Sequence, residues 1–182
     1  MFTSDFMKRI VEIPDKIEAD VDNFKIRIKG PKGILERDFS SPIFKNEITI
    51  KKEDNKILIS TESDKRKIRA MLGTIEAHIN NMFTGVTEGY TAKLKIIYAH
   101  FPFTVKISGK EILINNFLGE KLPRKTKIIN DCKVEIQGDE IIITGIDRES
   151  VGQTAANMEK STWIKARDRR VFIDGIFITK KP

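Results

Sequence analysis

The chain repeats itself. FKIRIKG, from Phe24 to Gly30, is echoed by FTVKISG, from Phe103 to Gly109, with a Phe, two aliphatic residues and a Gly in step. Further on, ITIKKEDNKILIST (Ile48 to Thr61) and VEIQGDEIIITG (Val134 to Gly145) each set two alternating apolar runs around a polar turn, which is the pattern of a β-hairpin. Self-similarity of this length constrains architecture more than any single segment does, because each copy must be one folded unit used twice.

After each hairpin the apolar period changes from two to 3.6. Ile68, Met71, Leu72, Ile75, Ile79 and Met82 fall on one face of a helix predicted from about Asp64 to Phe83, with Gly85 as its stop. In the second half Asp147 is the N-cap candidate for a helix whose apolar face holds Val151, Ala155 and Met158. A hairpin cannot bury its own apolar face, and one helix laid across each sheet supplies the missing layer. The predicted fold is therefore α+β: two tandem copies of a mainly antiparallel β-sheet with one helix packed on one face. The glycines of TGVTEGYTAKLK end the helical period and place the boundary near Gly89, giving copies at 1–89 and 90–182. One continuous ten-strand domain is the alternative.

Charge separates the copies. The 182 residues carry 33 Lys and Arg against 26 Asp and Glu, and 40% of them are hydrophobic, enough for a real core. Residues 1–89 hold 16 Lys/Arg and 15 Asp/Glu, net +1, whereas residues 90–182 hold 17 and 11, net +6. The scaffold is duplicated but the cationic surface is not, so a polyanion contact belongs mainly to the C-terminal copy.

Two stretches carry the excess. NNFLGEKLPRKTK is a Gly- and Pro-containing loop with Lys121, Arg124, Lys125 and Lys127; taken alone it reads equally as a solvated loop. KARDRRVFIDGIFI and the residues after it supply Lys165, Arg167, Arg169, Arg170, Lys180 and Lys181, offset in part by Asp168 and Asp174. An arginine presents a planar fork that gives two hydrogen bonds to a phosphate, whereas lysine acts as a point charge. The Phe172, Ile176 and Phe177 run would anchor these cations to the body, and pre-positioned charge lowers the ordering cost of binding. A solvated linker before an edge strand is the bland reading of the same stretch.

Chemistry is sparse. There is no phosphate loop with Lys-Ser/Thr, no dinucleotide fingerprint and no nucleophile elbow, and GPKG (Gly30 to Gly33) reads as a turn. The lone Cys132 reads as a small core or strand residue, and no Cys/His spacing suits zinc. His78 falls on the first helix, and His100 sits among aromatics in YAHFPF. Trp163 could stack on a base or close the end of a helix. No catalytic residue, metal site, cofactor or small-molecule substrate is assigned. No stretch approaches the roughly 18 apolar residues of a membrane span, and the first residues lack the apolar block of a secretory signal, so a cytoplasmic address is expected. Two alternatives stay open. One is a small hydrolase or nucleic-acid-modifying enzyme with an interdomain site that uses a Glu or His100, and the other is an adaptor for an acidic protein.

NFLGEK followed by basic residues, then GIDRESVGQTAANME, then RDRRVFIDGIFI resemble the second domain of the ribosomal large-subunit protein six family in its archaeal and eukaryotic form, called protein nine in eukaryotes. The length, the repeat and the order of elements are similar across almost the whole chain, with the C-terminal motif the specific part. Phe177 stands where the family usually has Tyr, and Lys160 where a Gln is common. The resemblance implies a structural protein of the large subunit that binds rRNA near the sarcin-ricin loop and the stalk base, mainly through its C-terminal domain. Neighbouring ribosomal proteins would be its partners, and translation factors would dock close by. The ten cations named above are its expected RNA contacts.

Overall fold

Alternation of apolar and charged residues builds the strands. A computed structural model describes residues 7–42, 47–165, 167–168 and 170–182, and the chain divides into two compact units, Met1–Glu88 and Gly89–Pro182. In the first unit β1 (Met7–Glu12) and β5 (Ile48–Glu53) flank β6 (Lys56–Thr61) in one antiparallel sheet. A second sheet sets β3 (Lys25–Gly30) between β2 (Glu18–Asp22) and β4 (Gly33–Asp38). Within β3, Ile26 and Ile28 are fully buried while Lys25, Arg27 and Lys29 remain exposed, the period-two signature of a sheet with one wet face.

Helix α1 (Arg66–Thr87) supplies the covering layer. Ile68, Leu72, Ile75, Ile79 and Met82 are buried as the periodicity requires, and Met71 packs half-buried at the margin. Gly85 does not stop the helix. Val86, fully buried, extends the apolar stripe past it, and its burial together with that of Phe83 just before it outweighs the ~1 kcal/mol that a helical glycine costs. The stop is Gly89, which takes a left-handed φ of 74° after the Glu88 N–H has bonded back to Thr84 O.

The second unit follows the same plan. β7 (Tyr90–Ile97), β12 (Glu140–Gly145) and β11 (Lys133–Gln137) stand in the order of β1, β6 and β5, and a second sheet sets β9 (Glu111–Asn115) between β8 (Thr104–Ser108) and β10 (Arg124–Lys127). Equivalent turn contacts recur: Ile13 N–H donates to Asn55 O at 2.9 Å in one unit, and Ile96 N–H to Asp139 O at 2.8 Å in the other. Helix α2 (Arg148–Ser161) begins at Asp147, whose carboxylate accepts the N–H groups of Glu149 and Ser150 at 3.2 and 3.1 Å. It buries Val151, Ala155 and Met158. One strand has no counterpart among the described residues of the first unit: β13 (Gly175–Lys180) pairs with the far edge of β7.

The fold is α+β and duplicated, with two sheets in each copy instead of one. The repeat itself needs a correction in register. By place in the sheet, central strand β3 corresponds to central strand β9, whereas FTVKISG forms the edge strand β8. A Phe-aliphatic-Gly pattern suits every arm of a meander, so composition alone matches the two copies one strand out of step. The corrected register equates the GPKG turn between β3 and β4 with the longer Asn116–Pro123 connection between β9 and β10.

Gly30 shows how tightly that turn sits on α1. A Cβ there would stand 2.6 Å from Val86 Cγ2 and 3.0 Å from Val86 O. Gly30→Ala should therefore destabilise the protein by about 1–3 kcal/mol in thermal or urea unfolding. Gly73→Ala, where a Cβ meets nothing within 4 Å on the same helix, should stabilise it by about 0.5–1 kcal/mol. Equal effects at the two positions would contradict this packing.

Candidate nucleic-acid interface

Helix α2 ends with carbonyls that its own turns cannot satisfy, and the first residue of β10 supplies a cation for them. Arg124 Nη1 donates to Ser161 O at 2.8 Å and to Trp163 O at 3.1 Å. On its other side the guanidinium grips Glu120, Nε to Oε2 at 2.8 Å and Nη2 to Oε1 at 2.5 Å. Its central carbon lies 4.4 Å from the centroid of the fully buried Phe117 ring. The hydrogen bonds to Arg124 hold the Glu120 carboxyl below the usual carboxylate range. Arg124 thus joins the two basic stretches: one end lies in the Lys121–Lys127 stretch, the other on the residues that lead into Lys165–Arg170.

This role differs from the expectation that Arg124 offers its fork to a phosphate. Four hydrogen bonds already occupy the half-buried guanidinium, so Arg124 is a brace. The lysines around it are placed otherwise. Lys121, Lys125 and Lys127 are exposed, and on β10 the last two point away from the core while Thr126 between them is buried. Cross-strand register adds a cation that linear reading misses: Lys106 on β8 pairs with Leu113 on β9, and Leu113 pairs with Lys125, so all three share one face.

The second stretch is shaped by its acids. Asp168 accepts the Arg170 N–H at 2.9 Å and makes an Asx turn, and Phe172 N–H closes onto Asp168 O at 3.0 Å. The Arg170 N–H and then its guanidinium hold the Asp168 carboxyl below its ordinary range. The Arg170–Asp168 ion pair is 3.2 Å long with the Arg170 side chain 91% exposed. Exposed pairs of this kind contribute little, so the contact does not fix the guanidinium in place. Arg167 lies over Phe172 at 4.9 Å. Lys165, Lys180 and Lys181 are exposed, and Arg169 lies outside the described residues.

Asp174 fastens this stretch to the unit. Its side chain is fully buried and accepts Ala99 N–H at 2.8 Å and His100 N–H at 3.0 Å, with His100 Nδ1 at 2.9 Å from its other oxygen. Burial alone would raise its pKa, but these bonds from the 99–101 loop outweigh it and hold the carboxyl at about 2. The His100 ring stacks on Phe172 at 4.6 Å. The His–carboxylate pair that a hydrolase reading would single out is used here as a clasp between a loop and the basic stretch. His78 faces Phe39 at 6.1 Å on α1, and burial raises the pKa of the half-buried Cys132 thiol.

β13 completes the surface. Its edge N–H groups are covered by α2: Ile176 N–H donates to Thr162 Oγ1 at 3.0 Å and Ile178 N–H to Glu159 Oε1 at 3.2 Å. On the sheet face away from α2, Lys95 stands opposite Phe177, and Lys93 opposite Lys180. Lys93 and Lys95 are not singled out by the sequence, since alternating lysines on a strand read as an ordinary wet face until the neighbouring strand is known.

A family model described as Ribosomal protein L6 matches residues 13–89 and 101–175. Among curated relatives, the large ribosomal subunit protein uL6 of Sulfurisphaera tokodaii is 52% identical over 171 residues, covering 94% of this chain and 90% of its own. Proteins of the same name from Desulfurococcus amylolyticus and Methanobrevibacter smithii are 48% and 45% identical over 94% of this chain, covering 92% and 94% of their own lengths.

The clasp carries a pH dependence whose sign is determined. An Asp held at about 2 when folded and near 3.9 when unfolded stabilises the native state above the higher value and loses that contribution as pH falls toward the lower. Between about pH 5 and pH 2, Asp174 should account for about 2 kcal/mol of lost stability. Asp174→Asn should be less stable at pH 7 and flatter across that window in acid unfolding followed by circular dichroism. A variant as steep as the parent would move the effect to another carboxylate.

Proposed function

The chain belongs to the ribosomal protein L6 family of the large ribosomal subunit, and from that premise we propose that it binds large-subunit rRNA mainly through its C-terminal unit. Its place in this reading is near the sarcin-ricin loop and the stalk base, beside neighbouring ribosomal proteins and within reach of docking translation factors. Work there is structural, without catalysis, in the ribosomes of the cytoplasm.

The observation that carries the reading is the Arg124 brace in the unit with net +6. It holds two exposed cationic groups in one arrangement, Lys121, Lys125 and Lys127 on one side and Lys165, Arg167 and Arg170 on the other. RNA helices hide base edges in a deep, narrow groove, so a rigid module recognises phosphates and 2'-hydroxyls through shape. The two groups clamp adjacent RNA strands and neutralise phosphates that would otherwise repel each other. Lys180, Lys181 and, from sequence, Arg169 extend the same surface; Lys106 joins it through strand register.

With roughly five phosphates neutralised, the logarithm of affinity for an rRNA fragment should fall with the logarithm of salt at a slope of about −3.5 to −4.5. A flat response would contradict the clamp. Replacing Arg169 and Arg170 with Ala should weaken binding on the order of tenfold, about 1.4 kcal/mol. Replacing Lys51 and Lys52 of the first unit should cost far less, and equal losses would mean that net charge alone is responsible.

A further inference from the structure

We propose that a cavity at the edge of β13 receives one unstacked nucleobase, held against Trp163 and Phe177 and contacted by the Glu159 carboxylate. The proposal rests on the rRNA-binding reading and goes beyond it, since backbone recognition needs no base site. The cavity measures about 330 Å³ and is lined by Glu159, Trp163, Ile164, Phe172, Ile173 and Phe177 among others. That is the small end of ligand-sized pockets, suited to one flat ring system.

Three observations select a nucleobase over a peptide. The edge N–H groups of Ile176 and Ile178 are already taken by Thr162 and Glu159, so an added strand would find those donors spent. Trp163 and Phe177 offer aromatic surface that is 48% and 36% exposed, and stacking on such rings is how proteins hold splayed-out bases. Cations border the cavity, although the charged residues of its wall are the acids Glu159 and Asp174. Lys165 follows the lining residue Ile164, and the Arg167 guanidinium lies over the lining residue Phe172 at 4.9 Å, so the phosphates flanking a single inserted nucleotide meet positive charge.

Glu159 sets the selectivity. Its Oε1 accepts Ile178 N–H at 3.2 Å, and Oε2 accepts an amino N–H from the base. Adenine, cytosine and guanine carry an exocyclic amino group, whereas uracil does not.

Trp163 is the only tryptophan, so its fluorescence reports the cavity directly. The full chain is titrated at one fixed salt concentration with five-nucleotide oligoadenylate, oligocytidylate and oligouridylate, and separately with an rRNA fragment. Oligoadenylate and oligocytidylate should quench the emission and bind about tenfold more tightly than oligouridylate, about 1.4 kcal/mol. Glu159→Gln should narrow that ratio. Phe177→Ala should weaken oligoadenylate binding about tenfold without changing the salt slope for the rRNA fragment, and Phe177→Tyr, which keeps the ring, should bind as the parent does. Equal binding of oligouridylate would overturn the choice of an amino-bearing base. If the rRNA fragment binds with a steep salt slope while Trp163 emission stays unmoved and Phe177→Ala binds like the parent, the cavity proposal fails and the rRNA reading stands. If the fragment does not bind at all, the rRNA reading fails and the base site with it.

Discussion

The fork of Arg124 closes on Ser161 O at the end of α2 and on Trp163 O just beyond it, and that closure ties the two basic stretches of the second unit together. A helix C-terminus presents acceptors and a partial negative charge, and the connection from β9 delivers a guanidinium whose planar donors reach Ser161 O and Trp163 O while Glu120 holds it from behind. Phe117, buried under the same guanidinium, fixes the start of the connection. Arg124 therefore joins β10, whose pairing with β9 sets Lys125 and Lys127, to the stretch that leads from Trp163 into the second cationic group. Asp174 adds a second fastening where the basic stretch returns to the sheet.

Duplication explains where this joint came from. In the first unit the turn between β3 and β4 meets the end of α1 in the same way: Lys32 N–H donates to Val86 O at 2.9 Å, and its Nζ donates to Glu88 O. Each unit thus closes its helix with a basic residue at or just after the connection that leaves its central strand. The first unit keeps that connection to a tight glycine turn pressed on Val86, whereas the second lengthens it with the Phe117–Gly119 3-10 turn and Lys121. Lengthening a surface connection costs little entropy, so the second unit could add the Phe117 and Glu120 that hold Arg124 without disturbing the scaffold that both share. β13 is the other addition, and it carries Lys180 on its outer face.

Much of this is legible in the sequence alone. Both hairpins, both helices and the Asp147 cap follow from periodicity and capping chemistry, which act within a few residues. The two basic stretches are visible as charge. What linear reading misses depends on contacts between distant residues. Arg124 meets Trp163 across 39 positions, and His100 meets Asp174 across 74. The split of each copy into two sheets, the equivalence of β3 with β9 and the grouping of Lys106 with Lys125 all require knowledge of which strand lies beside which. Gly85 reads as a stop because the apolar stripe beyond it, Val86 above all, shows its value only once β3 is seen to lie against it. Arg124 reads as a free cation because nothing local distinguishes an arginine that braces from one that binds.

The central claim is that placement by Arg124, and not the amount of charge, gives the surface its grip on RNA. Arg124→Lys tests it most directly, because it keeps the charge and removes the fork. Affinity for an rRNA fragment, measured at one fixed salt concentration on variants shown to be folded, should fall about tenfold, about 1.4 kcal/mol, although net charge is unchanged. Binding equal to that of the parent would show that the brace positions nothing the RNA depends on.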